Sequence, residues 1–287
     1  MEKSQKNGGD RMTEGIFKTY KLITKLSGTI TTRSPMRIGA GRGLEVLESD
    51  LPIVKNARGL PVIPGSSLKG FFRGNLQRIL YMKFDGEGVE SLLNEIFGGK
   101  EKDENTSSIL FHELKAEANK YKIAERKHIA INPEKGSVRN LFDVECVMDG
   151  SMFSGCLLTA RNLSPKGLAL LKTVIDATNF GLAKLGGFKS RGYGSIEIRL
   201  DELRFILPGK NADELKEGLI IDGLIPNKEK SCLKLNSAKF RADGKVWIDD
   251  TEVKAQIHET PSFFGVEIVI TEDEISKLFD GLLKVVV

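Results

Sequence analysis

Residues Arg37 to Arg78 read RIGAGRGLEVLESDLPIVKNARGLPVIPGSSLKGFFRGNLQR. The second half of this stretch predicts a turn at Pro64-Gly65 followed by a helix. Ser66 or Ser67 is placed to accept from the first free amides as an N-cap. Leu68, Phe71, Phe72, Leu76, Ile79 and Leu80 then fall on one apolar stripe. On another face Lys69, Arg73 and Gln77 recur every fourth residue, beside Gly70 and Gly74. Two cations one turn apart, behind open helix N-terminal amides, form a phosphate-binding surface. Glycines without side chains let a polyanion backbone come close. The plainer reading of the same pattern is a surface helix whose basic stripe faces water.

A second basic stretch, residues 185–198, reads LGGFKSRGYGSIEI. Lys189 and Arg191 lie between Gly186, Gly187, Gly192 and Gly194, and a strand follows. Main-chain N–H groups of such a loop can wrap phosphates. It is not a Walker A loop, because Tyr193-Gly194 stands where Lys-Ser/Thr is required. Arg191, Gly192, Tyr193 and Gly194 match the start of an RNA-recognition strand pattern. Ser195 and Ile198 occupy its later aromatic positions, so the loop suits gripping a backbone more than stacking bases.

The 287 residues are 40% hydrophobic and 29% charged, ordinary globular composition. A net charge of +4 does not by itself indicate nucleic acid, but the cations cluster. Arg33, Arg37, Arg42, Lys55, Arg58, Lys69, Arg73 and Arg78 crowd one N-terminal region. Cys146, Cys156 and Cys232 show no C-x-x-C spacing, which argues against a disulfide scaffold or zinc site. The three histidines are too far apart to suggest a metal cluster. The chain has no secretory segment and no apolar span of membrane length, so a cytoplasmic, membrane-free protein is expected.

Residues 1–15 are expected to be a disordered tail. Lys21 to Thr31 predicts a first strand, Leu60 to Ile63 a short one, and 101–108 a mobile polar segment. Ile109 to Arg139 reads as strands separated by Lys-rich turns. Leu141 to Thr159 reads as a hairpin about Asp149-Gly150. Ser164-Pro165 opens a helix to about Lys184, stopped by Gly186-Gly187, and 193–200 forms a strand. This order suits an α+β, ferredoxin-like core. Beyond residue 200, strands are expected in 232–253 and 263–270. Thr271 and Glu274 form a capping box for a last helix that buries Ile275, Leu278, Phe279 and Leu282.

The chain resembles the RAMP superfamily of CRISPR-associated RNA-binding proteins, within it the repeated backbone subunit of type III Csm/Cmr-like effector complexes. The resemblance rests on Ile38-Gly39-x-Gly41, on Ser49-Asp50-x-Pro52-Ile53-x-Lys55, on Leu60 to Gly70 and on the loop at 186–194, and covers about residues 22–200. It implies an RNA-recognition-like palm over 16–200 with a thumb inserted at about 100–140; residues 201–287 go beyond the matched stretch and are expected to be a subunit-docking extension.

The resemblance also implies partners and roles. The partners are CRISPR RNA, complementary target RNA, further copies of the chain and other effector subunits. Asp50 falls on the family's catalytic position, implying cleavage of guide-paired RNA with Mg or Mn, for which Asp50 is the candidate ligand. Glu45 and Glu48 are near in sequence. Arg37, Gly39, Gly41, Ser66, Ser67, Lys69, Arg73, Lys189, Ser190 and Arg191 take RNA-binding roles. Arg126, Lys127 and Arg139 are candidates in the thumb. Many relatives have histidine where Arg37 stands; a guanidinium binds phosphate but does not readily shuttle protons. His128 reads as a strand residue.

Three functions compete. The chain is a subunit that cuts target RNA through Asp50, or a non-cleaving RNA-binding scaffold in which Asp50 only caps a turn. A guide-processing nuclease is disfavoured, because no histidine precedes His112.

Overall fold

The computed structural model describes residues 19–41, 49–99, 107–132, 134–227, 231–233, 235–260 and 264–286. The expected N-terminal tail, Arg42, Glu45, Glu48 and most of the polar segment at 101–108 lie outside them.

In chain order the elements are β1 (Ile23–Thr32), β2 (Val62–Ile63), α1 (Gly65–Leu80), α2 (Gly86–Phe97), β3 (Ile109–Phe111) and β4 (Leu114–Ala116). β5 (Ile123–Ile131), β6 (Val138–Val147), β7 (Met152–Arg161), α3 (Pro165–Asn179) and β8 (Ile196–Leu207) follow. Then come α4 (Ala212–Glu217), β9 (Leu219–Asp222), β10 (Ser237–Ala242), β11 (Val246–Ile248), β12 (Thr251–Val253), β13 (Gln256–Glu259), β14 (Val266–Thr271) and α5 (Glu272–Val286).

The main sheet is antiparallel and runs β13-β14-β8-β1-β7-β4-β2, with β3 also on β7. β1 is central: Leu26 and Ile30 alternate inward, and β7 and β8 flank it along most of its length. Burying such a strand on its apolar face is the main stabilising term for the sheet. The α1 stripe goes into the core as the spacing predicts, with Leu68, Phe71, Phe72, Leu76 and Leu80 buried. Phe72 stacks on Phe111 of β3 at 5.3 Å between centroids.

Ser164 caps α3 by accepting from the Gly167 amide at 3.0 Å, as its position before Pro165 predicts. The helix ends at Asn179, however, not near Lys184. Gly186-Gly187 therefore does not stop it; that pair belongs to a separate loop.

Two further expectations change. Asp149-Gly150 is a turn, but β6 and β7 do not pair across it. β6 pairs with β5 in a two-stranded ribbon, whereas β7 enters the main sheet beside β1. The reason is the outer half of β6: Val138 to Leu141 is exposed and offers no face to the core. The ribbon turns where Asn132 and Ser137 bond main chain to main chain and Gly136 takes a positive φ of 61°. The projecting element is thus 123–147, later in the chain than the expected 100–140.

Residues 201–287 are not a detached appendage. β8 runs through the proposed boundary to Leu207, and β14 pairs with it. α5 packs on α3 and β8 with Ile275, Leu278, Phe279 and Leu282 buried. The Glu274 carboxylate accepts from the Lys254 amide at 2.8 Å. Among the described residues of this part, the strands outside the main sheet are those of the small sheet β12-β11-β10-β9.

Candidate nucleic-acid interface

Four separate stretches meet in one open groove. Arg37, Ile38, Gly39 and Gly41 line it with Leu51, Ser67 of the first turn of α1, and Gly186 and Gly187. Its volume is about 560 Å³. Main-chain bonds hold the parts together: the Gly187 amide donates to the Arg37 carbonyl at 2.8 Å, and the Val54 and Ala40 amides tie Ile38–Ala40 to Pro52–Val54.

Gly186 is required by this contact. A Cβ there would lie 2.3 Å from the Arg37 carbonyl oxygen, and its φ is +91°. The Arg37 guanidinium folds back over Gly39 and lies 5.5 Å from the Phe188 ring. Burial lowers its proton affinity, yet a guanidinium stays charged.

The α1 end differs from the sequence reading. Pro64 occupies the N-cap position and no side chain caps the helix, so neither Ser66 nor Ser67 does so. The first turn has no acidic residue, which leaves its positive end open toward the groove. Gly65 is needed for packing: a Cβ would lie 2.2 Å from the Phe111 carbonyl oxygen.

The basic stripe on α1 is divided. Lys69 is half-buried; desolvation, then the charge of Arg73, lower its proton affinity. Arg73 is occupied elsewhere, donating to the Gly98 carbonyl at 2.8 Å and to Asn94 at 2.7 Å. It closes the C-terminal end of α2, and Gln77 bonds Glu90 of the same helix. Arg73 and Gln77 thus face α2, and the Arg73 guanidinium is held there by two hydrogen bonds.

Lys189, Ser190 and Arg191 form a short 3-10 turn between Phe188 and Gly192, both left-handed, and all three are exposed. Arg191 lies 5.0 Å from the Phe188 ring.

Asp50 is exposed on a ledge beside β6. Its Oδ2 accepts from the Asp143 amide at 2.9 Å, and Ser49 donates to the Asp143 carbonyl at 3.1 Å. Two residues on, Glu145 accepts from the Ile53 amide at 3.0 Å and pairs with Lys55. The S-D-x-P-I-x-K motif is therefore clamped along the root of the ribbon. Sequence reading missed Glu145, because a glutamate in a strand carries no local mark of a partner ninety residues away.

Of the ribbon candidates, Arg126 is exposed, with its guanidinium 5.9 Å from the Tyr193 ring. Lys127 stands opposite Asp143, and Arg139 sits at a ladder irregularity; both are exposed.

Among the described residues, no group of three or more His, Cys, Asp or Glu is placed to hold a metal. Asp143 does leave Oδ1 buried without a hydrogen-bond partner beside Asp50.

The RAMP superfamily profile matches residues 29–197, more than half of the chain. The chain belongs to the RAMP superfamily. It is 30% identical over 214 residues to the CRISPR system Cms endoribonuclease Csm3 of Methanocaldococcus jannaschii, covering 63% of this chain and 80% of that one. The protein of the same name from Mycobacterium tuberculosis is 28% identical over 205 residues, covering 61% and 85%. A chain in the cryo-EM structure of the Type III-B Cmr-beta bound to cognate target RNA aligns with a TM-score of 0.47 at 21% identity, over 62% of this chain and 60% of that one. No helix among the described residues is long and apolar enough to cross a membrane.

Proposed function

We propose that the chain is a guide-RNA-binding backbone subunit of a type III CRISPR effector complex that cuts complementary target RNA. Its partners are the CRISPR RNA, the target strand, further copies of itself and other effector subunits. The observation that carries the reading is the convergence of Gly39, Gly41, Ser67, Gly186 and Gly187 on one groove, with Asp50 on the adjoining ledge. The relatives named Csm3 endoribonuclease, aligned over four-fifths or more of their length, support the same reading.

The palm is ferredoxin-like on this reading. β1, α1, β3/β4, β7, α3 and β8 follow its βαββαβ order, with the β5–β6 ribbon inserted as the thumb. The open N-terminus of α1, Lys69, and Lys189 to Arg191 hold the guide backbone by charge and main-chain N–H groups. Arg37 adds a fixed cation to the groove.

Cleavage needs a 2′-hydroxyl aligned with its phosphate, a proton acceptor and neutralisation of the phosphate charge. On this reading Asp50, whose carboxylate accepts from the Asp143 amide, acts as the proton acceptor or holds the cation. A divalent cation, Mg or Mn, held by Asp50 would supply charge neutralisation. Nothing here requires Arg37 to transfer a proton.

The test uses the complex assembled on guide RNA and given labelled complementary RNA with Mg²⁺ or Mn²⁺. Regularly spaced cuts that vanish in Asp50→Ala, with guide and target binding intact, are expected. Tight binding without cuts in either protein would leave an RNA-binding scaffold.

A further inference from the structure

Four rings meet where the ribbon leaves the sheet. His128 of β5 stacks against Phe142 of β6 at 5.8 Å and against Phe188 of the glycine loop at 5.6 Å, with interplanar angles of 21° and 16°. Tyr193, only 3% exposed, lies 5.7 Å from His128 and 5.8 Å from Phe188. The His128 Nε2 and the Tyr193 hydroxyl are 2.8 Å apart.

Of the four rings Tyr193 is buried and the other three are half-buried. The Phe188 ring already carries Arg191, Arg37 and His128, at 5.0, 5.5 and 5.6 Å. The cluster is a joint between two parts of the molecule. On one side lie Lys189 to Arg191. On the other, Phe142 is followed directly by Asp143, whose amide holds Asp50.

The protonation of the joint follows from its neighbours. The Arg126 guanidinium of β5 lies 5.9 Å from the Tyr193 ring. The hydroxyl can give its proton to His128 Nε2. That requires a neutral imidazole with Nε2 as acceptor. Burial, Arg191 from the loop and Arg126 from its own strand all disfavour the imidazolium.

We propose that His128 is a positioning residue: by accepting from Tyr193 and stacking between Phe142 and Phe188, it sets the ribbon and the Asp50 ledge against the loop that grips the guide. This rests on the cleavage reading above. The substrate-contacting groups stay the same; His128 acts through them.

The experiment compares full-length wild type with His128→Phe, which keeps a ring but removes the acceptor, His128→Gln, which restores one, and Tyr193→Phe. Hydrogen exchange of the β5–β6 amides is measured on the chain, and single-turnover cutting and guide affinity on the assembled complex. In His128→Phe and Tyr193→Phe, exchange is expected to quicken about tenfold, the loss of one partly buried hydrogen bond. Cutting should slow by a similar factor with guide affinity unchanged, His128→Gln should recover part of it, and the double variant should be no worse than either single.

Wild type should show the same loosening as pH falls below about 6.5, the ordinary histidine value. His128→Phe should not. The neutral form is favoured in the folded joint, so its contribution is complete above the unfolded value and is lost as pH falls through the lower folded one. Wild-type exchange, cutting and pH profile in His128→Phe, with cutting still abolished by Asp50→Ala, would overturn the role of His128 and leave the nuclease standing. Wild type that binds but never cuts overturns the cleavage reading, and His128's part in it, even where the ribbon loosens.

Discussion

The Asp143 amide donates to the Asp50 carboxylate at 2.9 Å, and Ser49 answers with a bond to the carbonyl of the same residue. The ledge that carries the candidate catalytic group is thereby pinned to the root of the projecting ribbon. Asp50→Asn retains an acceptor for the amide and removes the negative charge. It should abolish target cutting while changing stability by no more than about 0.5 kcal/mol, as for a surface substitution without a lost contact. Cutting assays and denaturant unfolding check the two halves.

Glu145 should matter without touching RNA. It is buried, takes the Ile53 amide and pairs with Lys55. Glu145→Ala leaves a donor and a partly buried ammonium unpaired, a cost of about 1–3 kcal/mol. Cutting should fall with stability, since the same segment carries Asp50. Equilibrium unfolding beside single-turnover cutting checks it.

The two cations of α1 should separate in a salt titration. Lys69→Ala should reduce the slope of log affinity against log salt by about 0.7, one phosphate contact on a single strand. Arg73→Ala should leave the slope unchanged and instead destabilise by about 1–3 kcal/mol, because its guanidinium serves Gly98 and Asn94. Guide-binding isotherms at several salt concentrations, with melting curves, distinguish them.

Gly186→Ala tests the seam between the first loop and the glycine loop. The added methyl meets the Arg37 carbonyl in a left-handed backbone, a strain of about 1–3 kcal/mol. Guide affinity should fall together with stability, whereas Gly192→Ala, with open space around its Cβ but the same backbone sign, should bring only the backbone part. Melting curves and binding isotherms for the pair give the difference.

Local pattern alone determined much of this protein. The α1 stripe, the Ser164-Pro165 start of α3 and the buried face of α5 follow from 3.6-residue spacing and capping chemistry, which act within a few residues. The glycines of the loops stand out for the same reason, since turns and close approaches leave their mark on the residues that make them; Asp50 stands out only through the family resemblance.

Only the tertiary structure decided what depends on a distant partner. Arg73 looks free along its helix, yet α2 supplies the carbonyl and amide that occupy it. Asp149-Gly150 makes its turn, but the strands on either side are drawn to different neighbours, because β7 has a core face and the outer half of β6 does not. His128, alternating in a strand like any other residue, gains its Tyr193 partner from a loop sixty-five residues on. Strand pairing and side-chain contacts at such separations are set by burial across the whole chain, and no short stretch encodes them.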